Sequence, residues 1–151
     1  MKKLLVCILA VMPLLFVSCK KDDKSNVQEP KNDVGTEWIV YENDGTSYAP
    51  GMKFQDGYLV CAEDNRYTWD LYVASVGKVN SLKEVNYVPT SGWAKSIKIQ
   101  IGHGYVLKCQ TSTSYGANQY TRIRFLEYID KGSATGYRMR YQDKWDPLRD
   151  E

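Results

Sequence analysis

The chain has 151 residues, which is enough for one folded domain with a single hydrophobic core and too few for two. It carries 20 lysine and arginine residues against 18 aspartate and glutamate residues, a formal net charge of +2 at pH 7. Nucleic-acid binding requires a strong positive field, so a charge this close to zero argues against a nucleic-acid partner.

The chain begins with the pattern of an export signal. Lys2 and Lys3 precede an apolar run from Leu4 to Val17. A helix that crosses a bilayer needs about 20 apolar residues, and this run is shorter. We therefore predict a cleaved signal peptide over residues 1–18 rather than a permanent anchor.

The apolar run ends at Ser18 and Cys19, and this junction resembles a bacterial lipoprotein signal, in which a small residue precedes a cysteine that becomes the acylated mature N-terminus. Phe16 and Val17 stand where that signal usually has leucine and a small residue. The resemblance implies that Cys19 carries palmitate or related acyl chains, whose buried CH₂ groups each contribute about 0.8 kcal/mol to membrane binding. The alternative is ordinary secretion with Cys19 as an exposed, reactive thiol.

Residues 19–35 are predicted to form a disordered tether that begins with the lipidated cysteine. The stretch "KKDDKSNVQEPKNDVG" has almost no large apolar side chains to offset the entropy of ordering. Its first four residues, Lys20 to Asp23, are similar to the signal that Bacteroidetes-type lipoproteins use for display on the outer face of the outer membrane. Cleavage before Cys19 leaves 18 basic and 18 acidic residues, so the mature chain is formally neutral.

Residues 36–151 are predicted to be a single β-rich domain. Tyrosine, tryptophan, valine and isoleucine occur in short runs between Gly, Pro, Asn and Ser clusters, and no window keeps a helical period beyond one turn at "SLKEV". About seven antiparallel strands in this length predict a small β-barrel or a sandwich. The predicted strands are Trp38–Tyr41, Tyr58–Cys61, Trp69–Val76, Ser96–Ile101, Tyr105–Cys109, Tyr120–Tyr128 and Tyr137–Gln142.

Two hairpins are predicted within these strands. "SIKIQI" alternates isoleucine with polar residues, which indicates one dry and one wet face. The glycine-flanked His103 follows it, so we expect a hairpin into Tyr105–Cys109 with His103 exposed at the tip. A second hairpin is expected where "DKGSATG" joins the last two strands.

Three motifs lie between residues 54 and 142: "VGKV" at 76–79, "PTSGWA" at 89–94 and "GHGYV" at 102–106. Together with the two closing strands, they resemble a β-rich module of unknown function in Bacteroidetes-type outer-membrane lipoproteins. The resemblance implies a fold type and a location in the cell envelope. It brings no activity, cofactor or catalytic residue with it.

No group of residues in the sequence has the pattern of a catalytic or metal site. His103 is the only histidine and has no neighbour in sequence that would complete a triad or a metal site, so a solvated turn residue is the simpler interpretation and a heme or zinc ligand the alternative. "ENDGTS" at 42–47 is rich in oxygen atoms but lacks the spacing of a calcium loop, which favours a turn. We expect no enzyme activity, no metal and no cofactor.

Arginine alternates with other residues in the last two strands. Arg122 and Arg124 share one face, as do Arg138 and Arg140. If the strands pair, the guanidinium groups lie on one side and could hold a carboxylate, sulfate or phosphate group bidentately. The alternative is an outer face on which the arginine stems cover hydrophobic rings.

Trp93 and two cysteines complete the residues of interest. Trp93 follows Gly92, which predicts a turn and an exposed ring that could stack on a sugar, whereas the alternative is a ring that closes one end of the domain.

Cys61 and Cys109 either form a disulfide, which would contribute about 4 kcal/mol by loop closure, or pack as two buried thiols. Both states are compatible with an oxidising compartment.

These patterns together predict a lipid-anchored β-domain, exposed at the surface of the outer membrane, that works by binding and not by catalysis. The expected ligand is a glycan or another extracellular molecule. The alternative is a structural or accessory subunit that binds an outer-membrane protein.

Overall fold

The computed structural model of the chain describes residues 30, 32–48, 51–62, 69–111 and 118–149. The predicted signal peptide, Cys19 and most of the predicted tether lie outside these residues. Among the residues described, no helix is long and apolar enough to cross a membrane. A 3₁₀ turn spans Leu82–Glu84, and the strands are β1 (Thr36–Tyr41), β2 (Met52–Gln55), β3 (Tyr58–Cys61), β4 (Trp69–Lys78), β5 (Ser96–Lys98), β6 (His103–Thr111), β7 (Gln119–Asp130) and β8 (Thr135–Trp145).

The strands form two antiparallel sheets. One has five strands in the order β1-β8-β7-β6-β4, and the other has three in the order β2-β3-β5. The prediction of an antiparallel β fold is confirmed, and of its two alternatives the sandwich describes the arrangement. Strand β2 was not predicted, and most of the predicted strand ends lie a few residues inside the observed ends.

The two sheets enclose the main core, which is rich in aromatic rings. Phe125 on β7 meets Tyr105 and Tyr137 edge to face, each at 5.4 Å between ring centroids. Phe54 on β2 meets Phe125 in the same way at 6.1 Å, so this contact joins the two sheets. Edge-to-face pairs are the arrangement that the ring quadrupoles favour.

The opposite face of the five-stranded sheet is covered by residues 79–93, here called the covering segment. Val79, Leu82 and Val85 from this segment are buried in a second cluster on that face. A Cβ atom on Gly104 would lie 2.5 Å from Cγ2 of Val85, so the close approach of the segment to β6 depends on glycine. Because of this cover, the middle of β7 is buried on both faces.

The folded region also includes residues assigned to the tether. The Asp33 carboxylate accepts hydrogen bonds from the backbone N–H groups of Leu82, at 2.7 Å, and Lys83, at 3.2 Å. Val34 packs against the second cluster. The last residues before β1 are therefore fastened to the covering segment.

The prediction of a hairpin between Ser96–Ile101 and Tyr105–Cys109 is wrong. Strand β5 pairs with β3, whereas β6 pairs with β4 and β7 in the other sheet. Gly102, with a φ of +79°, turns the chain from one sheet to the other. His103 is consequently not a hairpin tip but the first residue of β6, half-buried and opposite Lys78.

Other local predictions are confirmed. Strands β7 and β8 form the closing hairpin, with Arg124 directly opposite Arg140. The helical turn expected at "SLKEV" is the 3₁₀ turn.

The segment 42–47 is a bend, in which the Asp44 carboxylate accepts a hydrogen bond of 2.8 Å from the Thr46 N–H. Burial raises the pKa of Asp44, but this bond and one from the Tyr48 hydroxyl outweigh it and lower the pKa below its ordinary value.

Candidate functional site

The four arginines of the closing hairpin share one face of the sheet, but they do not form an open surface. Arg122 and Arg124 are 2% and 0% exposed, because the covering segment lies over them. Arg122 donates from Nη1 to the Val85 carbonyl at 3.0 Å, and Arg124 donates from Nε to the Val79 carbonyl at 3.2 Å. These two guanidinium groups hold the covering segment and are closed to an external anion.

Arg138 and Arg140 lie nearer the edge of the same face and are half-buried. Arg138 forms ion pairs of 3.2 Å with both Glu37 and Glu127. Arg140 forms an ion pair of 3.5 Å with Glu37. An external carboxylate or phosphate would have to displace these acidic partners, so the structure does not favour the predicted anion site.

Trp93 is half-buried and packs against the second cluster. Its Nε1 donates a hydrogen bond of 3.1 Å to the Pro89 carbonyl, and the Lys108 ammonium lies 4.7 Å from its ring centroid. The exposed ring expected from Gly92 is therefore not what the structure shows. The ring is packed, as the alternative interpretation expected, and its role in closing one end of the domain stays a prediction.

Cys61 and Cys109 are free thiols, both buried in the main core. Burial raises the pKa of the Cys61 thiol from 9.0 to about 11, and it also raises the pKa of Cys109. The buried-thiol interpretation describes both residues, and the disulfide alternative does not. Neither thiol has the lowered pKa that a reactive cysteine needs.

His103 has no metal-binding neighbours in the described part of the chain. No group of three His, Cys, Asp or Glu side chains there is placed to hold a metal ion. His103 lies instead on the five-stranded sheet, opposite Lys78.

A groove that the sequence analysis did not identify lies where β7 begins and β8 ends. We call it the β7–β8 groove, and its volume is about 540 Å³. The lining combines aromatic, amide, charged and apolar side chains in one place. It consists of Asn118, Gln119, Tyr120, Lys144, Trp145 and the turn at 146–148.

A β-bulge shapes this groove. Tyr120 lies opposite Trp145, but Arg122 lies opposite Gln142, so β8 has one more residue than β7 between these pairs. Lys144 sits in the bulge with a φ of +51°, a backbone conformation that is unfavourable for a residue with a side chain. Bulges and strained residues often redirect side chains at binding sites.

The chemistry of the groove suits a ligand with both hydroxyl groups and an apolar face. Tyr120 is half-buried against the second cluster, and its hydroxyl accepts a hydrogen bond of 3.4 Å from Asn118 Nδ2. Trp145 is only 3% exposed, because it belongs to the same cluster, and the Arg122 guanidinium lies 5.0 Å from its ring centroid. Asn118 and Gln119 are exposed and carry amide groups that both donate and accept hydrogen bonds. Pockets for small ligands commonly combine apolar walls with a few polar groups in this way.

Asp146 is the one carboxylate in the described lining of the groove. Its Oδ1 accepts a hydrogen bond of 3.0 Å from the Leu148 N–H, and its Oδ2 lies 3.3 Å from Nε of Arg149. Glycoside hydrolysis uses a pair of carboxylates across the sugar, and this lining does not supply a pair.

Comparisons of the chain with protein-family models, with curated proteins and with solved structures found no match.

Proposed function

We propose that the chain is a lipid-anchored protein of the cell envelope whose β-domain binds a glycan, without catalysis, in the β7–β8 groove. The observation that carries this proposal is the composition of the groove, in which the Tyr120 ring lies beside the amides of Asn118 and Gln119. A pyranose ring presents apolar C–H groups on its faces and hydroxyl groups at its rim. An aromatic ring with adjacent amides complements both.

Charge favours a neutral glycan over an acidic one. The described lining has one cation, Lys144, and one anion, Asp146, so it lacks the cluster of cations that would attract an acidic glycan. The arginines that would attract an acidic ligand are buried under the covering segment or paired with Glu37 and Glu127.

The location belongs to the same proposal and is supported by the sequence alone. The apolar run before Cys19, the acylation pattern at Ser18-Cys19 and the polar residues after it support a lipid anchor with a tether to the outer membrane. Display at the cell surface would bring the groove into contact with extracellular glycans.

An oligosaccharide array tests the proposed ligand class. The tagged full-length chain is applied to an array of neutral and acidic oligosaccharides, together with its Tyr120→Ala variant. We expect the wild type to retain a set of neutral oligosaccharides, and the variant to bind them about tenfold more weakly, which corresponds to about 1.4 kcal/mol. Tyr120→Phe keeps the ring and should retain most of the binding, which separates loss of stacking from loss of packing.

Tyr87→Ala is the matched control, because Tyr87 is a tyrosine outside the groove whose side chain is 52% exposed. It should bind like the wild type. Equal binding by the wild type and Tyr120→Ala, or retention of acidic oligosaccharides alone, would contradict the proposal.

A further inference from the structure

Strand β1 forms one edge of the five-stranded sheet, and no described strand pairs with its outer side. The strand reads "TEWIVY", with neither lysine nor proline, and Ile39 at its centre is 49% exposed. A groove of about 560 Å³ runs along it, lined by Glu37, Trp38, Ile39 and Tyr48. Proteins usually protect sheet edges with charges, proline, short strands or covering loops, and of these β1 has only the charge of Glu37. A sheet edge with few such protections can accept a further strand.

The other sheet edges are protected. Val73 on β4 exchanges two backbone hydrogen bonds of 2.9 Å with Ala94. The β2 carbonyls of Met52 and Phe54 accept hydrogen bonds from the N–H groups of Tyr48 and Asn43. Strand β5 has only three residues. Strand β1 thus differs from the other edges of the described fold.

The backbone groups that face outward on β1 can be identified from one hydrogen bond. The N–H of Tyr41 donates to the Tyr48 hydroxyl at 3.1 Å, so it points away from β8. Because the direction alternates along a strand, the N–H and C=O groups of Ile39 and Glu37 also point outward. In the part of the chain that the structure describes, no hydrogen bond to these groups is present. The Tyr48 hydroxyl already accepts the outward N–H of Tyr41, so the stretch of unbonded backbone groups ends there.

We propose that β1 pairs with β1 of a second copy of this chain, in an antiparallel arrangement with the two-fold axis at Trp38. Glu37 of each copy then lies opposite Ile39 of the other, and all the outward groups of these residues are hydrogen-bonded across the axis. The result is one continuous sheet built from both five-stranded sheets. Two-fold pairing uses the same patch on each copy, as in most homodimers.

Charge and steric fit select this register over its neighbours. If the two-fold axis lay at Glu37 instead of Trp38, the two Glu37 side chains would lie directly opposite each other. Like charges in that position are destabilising. A shift toward the C-terminus would require the Tyr41 N–H, which is already bonded to Tyr48. In the chosen register, the pairing ends before Tyr41, because the Tyr41 N–H is bonded to Tyr48 and the opposite chain bends at Gly35, whose φ is +82°.

The ion pairs of β1 also suit a second copy. Glu37 forms ion pairs with Arg138 and Arg140 of its own chain, and it keeps these partners when Ile39 of the second copy lies opposite it. In the dimer, the apolar surface of Ile39 packs against the opposite strand and is no longer exposed to water. A contact of this length is smaller than the roughly 1,200 Å² of stable interfaces, so we expect a reversible dimer.

Cysteine cross-linking in intact cells that produce the full chain tests the pairing. Residues 38 of the two copies would have Cα atoms about 4.5 Å apart, which is within the range for a disulfide. With a mild oxidant, Trp38→Cys should yield a covalent species of twice the chain mass. Lys131→Cys, at the exposed turn between β7 and β8, and the wild-type chain are the controls and should not.

A further variant keeps the test decisive if Trp38→Cys fails to accumulate. Ile39→Cys changes an exposed side chain, and a short bis-maleimide reagent should join two copies through it. Adding Ile39→Pro to Trp38→Cys removes an outward N–H and should abolish the covalent dimer, whereas Ile39→Val keeps the N–H and should preserve it. Dimer yields equal to those of Lys131→Cys, or cross-linking of residue 38 to a different protein alone, would overturn the proposal.

Discussion

Arg122 and Val85 are joined by a hydrogen bond of 3.0 Å from the guanidinium Nη1 to the backbone carbonyl oxygen. The same guanidinium donates from Nε and Nη2 to Gln142 Oε1, at 2.9 and 2.6 Å. A buried charge on β7 is thereby bonded to both the neighbouring strand and the covering segment. Arg122 therefore stabilises the fold and is closed to an external ligand.

Replacement of Arg122 should therefore destabilise the domain. Arg122→Ala leaves the Val85 carbonyl and the Gln142 amide oxygen without this donor, so we expect the free energy of unfolding to fall by about 3 kcal/mol. Arg138→Ala is the matched control, because Arg138 lies on the same face in partly exposed ion pairs. This variant should lower the free energy of unfolding by less than about 1 kcal/mol. Urea unfolding of both variants measures the difference, and equal losses would contradict the assignment.

Alkaline pH should weaken the fold through Cys61. Burial raises the pKa of this thiol from 9.0 to about 11, so the folded chain holds the proton more tightly than the unfolded chain. The resulting stability is complete below pH 9 and is lost as the pH rises toward 11. Cys61→Ala should flatten the fall in unfolding free energy above pH 9, and the Cys109 thiol, whose pKa burial also raises, should account for part of the fall that remains. An unchanged slope in that variant would show that another group is responsible.

A side chain at Gly104 should push the covering segment away from the sheet. The Cβ atom of Gly104→Ala would meet Cγ2 of Val85 at 2.5 Å and Cγ2 of Val76 at 2.8 Å. Overpacking of this kind costs about 1–3 kcal/mol of unfolding free energy. The double variant Gly104→Ala/Val85→Ala should lose less than the sum of the single variants, because the colliding methyl group is gone. Strict additivity in thermal or urea unfolding would mean that the two residues do not compete for space.

The lipid anchor has a direct chemical test. Cells that make the full chain are fed labelled palmitate, and the chain is isolated and its mass is measured. Cys19→Ser should remain at the precursor mass without label, since the acylated thiol is missing. Cys7→Ser is the control, because Cys7 would leave with the signal peptide, and it should be labelled and cleaved like the wild type. Label on Cys19→Ser would refute the lipoprotein assignment.

Local alternation made the closing hairpin predictable, but it did not show which sheet each strand would join. The arginines of β7 and β8 were placed correctly on one face because strand periodicity is a local property. Their burial was not predictable in the same way, because it depends on Val79, Leu82 and Val85 folding back over the sheet. Similarly, Gly102 permits a turn within a sheet or between sheets, and only long-range packing decides between them.

The β7–β8 groove could not be predicted, because its residues come from two strand ends that are distant in sequence. The bulge that forms it places Lys144 at positive φ, and lysine gives no signal for that conformation. Apolar and polar residues alternate in "MKFQ", which agrees with strand β2. Over only four residues, however, the same alternation also occurs in loops.

Hydrogen–deuterium exchange of the full chain, with and without an oligosaccharide retained on the array, tests the central claim most directly. Binding in the β7–β8 groove predicts slower exchange in peptides that cover residues 118–120 and 144–148, with little change at β1 or β3. Slower exchange confined to other segments, or no change at saturating oligosaccharide, would contradict the assignment of this groove as the glycan site.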